Sequence, residues 1–241
     1  MAGHSKWTQI KHKKAVTDVK KGQLFSKIVR EITVAARMGG PSPETNARLR
    51  AAIERAKSQG LPKENTERAI ARAVGGGDTS SLQEFLCEVI APYGAALLIE
   101  GITDNKNRSL AEIKHILAEK EAKLAQPGSL IWSFEKIGTI EISETDNQSQ
   151  TKEGLELSII DAGANDFKKN GAWLVETNFA ELEKVRQELE KRGVKINEVG
   201  HDYKPKNALL LSPEQKKEIE PLLDKLLEHD DVQEVYTNFT E

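Results

Sequence analysis

A single cysteine among 241 residues, Cys87, rules out an internal disulfide and fits a reducing compartment. No stretch approaches the roughly 20 consecutive apolar residues that a membrane-spanning helix needs, so no membrane partner is expected. Lys6, Lys11, Lys13 and Lys14 come without the apolar run of a secretory signal, and a cytoplasmic protein is the expectation. Aromatic residues make up only 5%, which points to aliphatic cores. Catalytic groupings are missing too. Five scattered histidines and one cysteine give no zinc spacing. The glycines at 75–77 are not followed by Lys-Ser/Thr, so they make no phosphate-binding P-loop. Glu112-x-x-His115 is half of a di-iron pattern with no second copy and reads as a surface pair. His201-Asp202 is a lone pair at a strand end, and no nucleophile elbow appears. These absences predict a protein that is not an enzyme and uses no metal or cofactor.

What is present is a divided charge. Met1–Gly77 holds 16 Lys+Arg against 6 Asp+Glu, a net of +10; the remainder holds 19 against 32, a net of −13. Such asymmetry between halves predicts that one part meets a polyanion and the other does not.

Periodicity predicts helices over 23–38, 44–59 and from about Pro62 or Asn65 to Val74, ended by Gly39-Gly40-Pro41, Gly60 and Gly75-Gly76-Gly77. After the charge switch the period becomes strand-like, over 82–91 and 95–103 around Pro92-Tyr93-Gly94. Ser109-x-x-Glu112 reads as the capping box of a following helix. From 134 to 203 the order is βαββαβ, with strands at 138–143, 165–169, 172–177 and 194–199 and a tight turn at Asn170-Gly171. Strand 208–211, helix 213–228 and strand 232–236 close the chain. The fold class expected is multidomain α+β. An all-helical domain over 1–77 precedes two α+β, ferredoxin-like domains. One spans 78–133 plus 204–241, and the other, 134–203, is inserted in it.

Nucleic-acid binding needs fixed positive charge along phosphates. Lys6, Lys11, Lys13, Lys14, Lys20 and Lys21 fall within 16 residues, beside His4 and His12, and Trp7 among them is a candidate for stacking on an unpaired base. Lys27, Arg48 and Arg55 extend the candidate surface onto the helices. The bland alternative, in which the lysines solvate a helical domain and Trp7 packs on its core, holds for any one residue better than for the cluster. A helix-turn-helix over the second and third helices offers few groove-reading side chains, because the third begins Asn65-Thr66-Glu67-Arg68. Asn105, Lys106 and Arg108 stand where a strand hands over to a helix, a place for an anion; turn shaping and capping explain them as well.

The opening MAGHSKWTQIKHKK, Lys21-Gly22, Phe25-Ser26-Lys27, Asn46-x-Arg48-Leu49-Arg50, Pro62-Lys63-x-Asn65, the string TDNKNR at 103–108 and Trp132-x-Phe134-x-x-x-Gly138 are similar to the YebC family along the whole chain. The resemblance implies three domains, one inserted in another, and a non-enzymatic role. That role is either DNA-binding transcriptional regulation or action in translation, at ribosomes stalled on sequences such as proline runs. One departure stands at 87–96, where a glycine-rich family turn is replaced by Cys87-Glu88-Val89-Ile90-Ala91-Pro92-Tyr93-Gly94-Ala95-Ala96. The partner expected is therefore nucleic acid, DNA or ribosomal RNA, with the ribosome included, and the protein itself is expected to be a monomer. The competing class is a protein-interaction module whose basic arm only aids solubility.

Overall fold

One buried asparagine joins the first two helices. The computed structural model describes residues 18–75, 81–143, 145–147, 151–169 and 171–239. Helix α1 (Asp18–Gly39) ends against Asn46, whose amide donates to the Ala35 and Gly40 carbonyls at 2.8 Å each. Its Oδ1 accepts the Leu49 N–H at 3.0 Å and so caps helix α2 (Ala47–Ser58). A side chain at Gly39 would strike that amide, which is why a glycine sits there. Helix α3 (Lys63–Val74) follows Pro62. Ile28, Ile32, Ala35 and Ala36 of α1 pack on Leu49, Ala52, Ala56, Leu61 and Ala69 in one aliphatic core.

The first sheet is antiparallel in the order β3-β1-β2-β8. It comprises β1 (Gln83–Ile90), β2 (Ala96–Thr103), β3 (Lys123–Leu124) and β8 (Val232–Thr237). Helices α4 (Lys106–Ala118) and α7 (Pro213–Glu228) cover one face; Ile113, Leu117, Ile219, Leu222 and Leu226 meet Phe85, Val89, Leu97 and Ile99 there. The second sheet is β5-β6-β4-β7, from β4 (Phe134–Ile142), β5 (Asp166–Lys169), β6 (Trp173–Asn178) and β7 (Glu198–Pro205). With helices α5 (Lys152–Asp161) and α6 (Leu182–Lys191) it forms the expected βαββαβ unit. The first sheet has the same spatial plan by another chain order, since β1, which stands where β6 does, comes first along the chain. The other face of the first sheet meets the second unit through Ala96, Leu98, Phe134, Tyr203 and Tyr236.

Three expectations need correction. The box Ser109-x-x-Glu112 does not start α4: Asn105 caps the helix, and Ser109 lies fully buried in its first turn. The strand expected at 194–199 begins at Glu198 instead, because the Lys195 N–H and carbonyl pair with the Asn147 side chain (2.7 and 2.9 Å) rather than with a strand. Residues 208–211 make one bridge only, Leu209 to Phe239, and Leu210 is exposed. The turn residue Asn170 lies outside the described residues; Gly171 has a φ of 75°.

Candidate nucleic-acid interface

The basic face of α1 is turned onto the acidic corner between α7 and β8. Lys20, Gln23, Lys27 and Arg30 recur every three or four residues and so share one side of the helix. Lys20 pairs with Glu228 at 3.3 Å, and Gln23 reaches Asp230. The Lys27 ammonium donates to the Leu227 carbonyl at 2.6 Å. Burial pushes its pKa down to about 8, against the attraction of Glu234 and Asp230. Arg30 donates to Asp231 at 2.5 Å and to the Asp230 carbonyl at 2.8 Å. Farther along, Arg37 donates to the Leu82 carbonyl.

Helix α2 repeats the arrangement. Arg48 forms a two-pronged pair with Glu84, and Arg50 meets Glu183 at 2.7 Å. Arg55 lies between Glu31 (3.3 Å) and Glu198 (3.7 Å). Burial opposes its charge, but those carboxylates outweigh burial and raise its pKa above the ordinary value.

Of the expected contact residues, His4, Lys6, Trp7, Lys11, His12, Lys13 and Lys14 lie outside the described residues. Lys20, Lys27, Arg48 and Arg55 are held by partners in the later part of the chain. Lys21 is exposed, its ammonium 5.6 Å from the Phe25 ring centre. Much of the charge division is thus self-complementary: helix-borne cations meet carboxylates from the acidic part. On the outer side of α3, Glu64 and Glu67 share the exposed face with Lys63 and Arg68, and Lys63 pairs with Glu67. Two carboxylates at the leading turns of a groove-reading helix would repel phosphates.

The expected anion site resolves as a carboxylate hub. Asn105 caps α4 by accepting the Arg108 N–H at 3.1 Å. Arg108 donates to Asp104 (2.7 Å) and to Asp231 (3.0 Å), so its charge is engaged, while Lys106 stays exposed. Asp231 also accepts Ser109 (2.5 Å), Thr103 (3.0 Å) and Arg30. Burial alone would raise its pKa; these donors hold it at about 2. Most of the string TDNKNR therefore serves to tie β2, α4, the 229–231 corner and α1 together. Glu112, His229 and Asp231 stand within 4.8 Å of one another, a spacing a metal ion would accept. The Asp231 oxygens are already taken by four donors, and His229 Nδ1 accepts the Asp231 N–H at 3.1 Å.

Two arrangements escaped sequence reasoning. His201-Asp202, expected as a lone pair at a strand end, lies inside β7, where His201 contacts Glu100 across the sheets at 2.9 Å and the Tyr236 hydroxyl donates to the same carboxylate at 2.9 Å. Neighbouring Asp202 is buried, which pushes its pKa up to about 7. Glu88, buried on β1, accepts the N–H groups of Gly128, Leu130 and Ile131 and fixes the loop that carries Trp132. Their partners lie 35 to 136 positions away, so no local spacing signals them.

A helical head joined to two antiparallel α+β units defines the class of protein, and comparison with known proteins places it further. Residues 5–76 match the TACO1/YebC protein N-terminal domain, and residues 82–239 match the TACO1/YebC second and third domain. The chain belongs to the TACO1/YebC family. It is 45% identical over 239 residues to a probable transcriptional regulatory protein of Caldanaerobacter subterraneus, covering 99% of this chain and 98% of that one. A probable transcriptional regulatory protein of Thermoanaerobacter pseudethanolicus is 44% identical, with 99% and 96% covered. The crystal structure of a conserved hypothetical protein of Aquifex aeolicus superposes with a TM-score of 0.86 at 39% identity, over 98% of this chain and 97% of that one.

Proposed function

We propose that the protein is a non-enzymatic, nucleic-acid-binding regulator of gene expression whose phosphate contacts come from the N-terminal arm, His4 to Lys14, continued by Lys21. The observation that carries this reading is the cation density of the arm, where Lys6, Lys11, Lys13 and Lys14 fall within nine residues of sequence. The helices spend Lys20, Lys27, Arg30, Arg48, Arg50 and Arg55 on the acidic part, and the arm's lysines lie before them in sequence. The names of the relatives support a regulatory role. Irregular RNA, such as ribosomal RNA, is the better target than promoter DNA, because α3 presents glutamates where a major-groove helix needs donors. Unpaired bases suited to Trp7 are common in such RNA. On this reading the protein acts in translation, at ribosomes that stall on difficult peptides.

Binding measured against salt tests the reading. Log affinity should fall linearly with log salt, and replacing Lys11, Lys13 and Lys14 by Gln should reduce the slope by roughly 2–3. An unchanged slope would remove the arm from the interface. Crosslinking in cells followed by sequencing separates the targets: enrichment of discrete DNA sites in place of ribosomal RNA would reverse the choice.

A further inference from the structure

Trp132 is 67% exposed yet held in place. Its indole N–H donates to the Ser129 carbonyl at 2.7 Å, inside a short 3-10 turn closed by the Ser133 N–H on Leu130 (2.9 Å). That turn is anchored from beneath by Glu88, whose carboxylate is almost fully buried under three backbone N–H donors. Lys206 closes the other side. Its backbone N–H meets the Ser133 carbonyl at 2.9 Å and its ammonium the Trp132 carbonyl at 2.8 Å. Leu130 and Ile131 turn inward onto Leu98 and Tyr236.

The indole is left as an immobilised ring whose only polar atom is already satisfied, so what it offers a ligand is its π surface. The exposed residues nearest in the chain and across the Lys206 contacts are Gln126, Pro127, Gly128, Ser129, Glu135, Lys206 and Asn207. A lone aromatic in polar surroundings differs from the contiguous apolar patch that marks a protein-docking surface. Rigid aromatic rings beside lysines are the means by which proteins hold unpaired bases without reading sequence.

The geometry points to Trp132, flanked by Lys206, as a second nucleic-acid contact: a stacking platform for one unpaired base, with the lysine beside it on the adjoining phosphate. This rests on the nucleic-acid reading proposed above. The platform lies toward the Pro92 hairpin end of the first sheet, whereas α1 docks at the opposite end, at Leu82, Ile102 and Asp231. Strands of eight residues put roughly 25 Å between the two ends.

The test uses the full chain, its Trp132→Ala, Trp132→Phe and Lys206→Ala forms, and a labelled single-stranded RNA followed by fluorescence anisotropy, with the same sequence as a duplex for comparison. W132A should weaken single-strand binding roughly 5- to 100-fold and leave duplex binding unchanged. W132F should recover most of the loss, and K206A should lower the salt slope by about one. All should melt close to the parent, since the replaced side chains are exposed and each gives up a single hydrogen bond to a backbone carbonyl. Wild-type binding with no loss in W132A, or an equal loss on duplex, overturns the platform. Capture of a protein by the parent but not by W132A, with RNA binding unaltered, assigns the surface to a protein partner and overturns it as well. A parent chain that binds neither form refutes the nucleic-acid reading itself.

Discussion

Replacing Asp231 by Asn should be among the costlier single-atom changes available in this protein. The carboxylate is nearly inaccessible and accepts Arg30, Arg108, Ser109 and Thr103. Its pKa falls from 3.8 to about 2, a difference of nearly two units, which corresponds to about 2 kcal/mol. The Arg108 guanidinium is 44% exposed, so screening reduces the share of that figure which acts on stability to about 1–2 kcal/mol. An amide also leaves Arg30 without its anion and Arg108 with Asp104 alone, and charge-assisted bonds are worth about 1.5–3 kcal/mol each. Ser109 or Thr103 can still donate to the amide oxygen. The expected loss is therefore about 2–4 kcal/mol, or roughly 5–15 °C in Tm for a chain of this length. Thermal unfolding by circular dichroism measures it. The pH dependence supplies an independent check. A carboxylate with a depressed folded pKa contributes its stability in full above pH 3.8, and the contribution is lost as pH falls towards 2. The gap between parent and D231N should accordingly narrow from about pH 5 down to pH 2. A Tm change below about 2 °C, or a gap that stays constant to pH 2, would refute the hub.

Lys27 carries the opposite sign: its folded pKa of about 8 lies below the ordinary 10.5, so its burial penalty is present below pH 8 and relieved as pH rises to 10.5. The stability difference between Lys27→Met and the parent should shrink across that window; a difference independent of pH would show that the amine is not desolvated. Gly101→Ala should cost about 1–3 kcal/mol in urea unfolding, since a Cβ there would strike the Phe85 ring and lie 2.5 Å from the Asp231 carbonyl oxygen. Arg55→Ala should lower stability by about 1–3 kcal/mol while leaving the salt slope of nucleic-acid binding as it was. A reduced slope would return Arg55 to the interface.

The elements with local causes were legible in the sequence. Gly60 and Pro62 marked the break between α2 and α3, and α7 lies where it was expected, at 213–228; the caps Asn46 and Ser212 came from the structure. The βαββαβ order followed from strand alternation and the turn at 170–171. Ser109 misled because a buried hydroxyl that serves Asp231 has the same spelling as a helix cap. The strand at 194–199 was misplaced because Asn147, 48 positions earlier, takes up the Lys195 backbone. Asp231 itself had no signal: its donors lie 122 to 201 positions away, and an acidic pair after a helix looks like any loop.

Charge asymmetry was also legible, but not what it faces. Net charge counts cations without saying which of them the fold consumes. Helix-borne cations sit at fixed positions, so matching carboxylates can be placed opposite them, and a phosphate seeking Arg30 must displace an anion already held by three other donors. The arm's cations fall in a stretch whose sequence shows only weak apolar periodicity. On the nucleic-acid reading, phosphates gain more from the arm than from α1 or α2, although these helices hold nine Lys and Arg against the arm's four. On this reading the salt slope, roughly 0.7–0.9 per phosphate contacted, measures the cations that the fold leaves over and not the +10 of the segment. A slope near ten would mean that binding undocks α1 from the 227–231 corner, and D231N, by loosening that corner, would then tighten binding instead of leaving it unchanged.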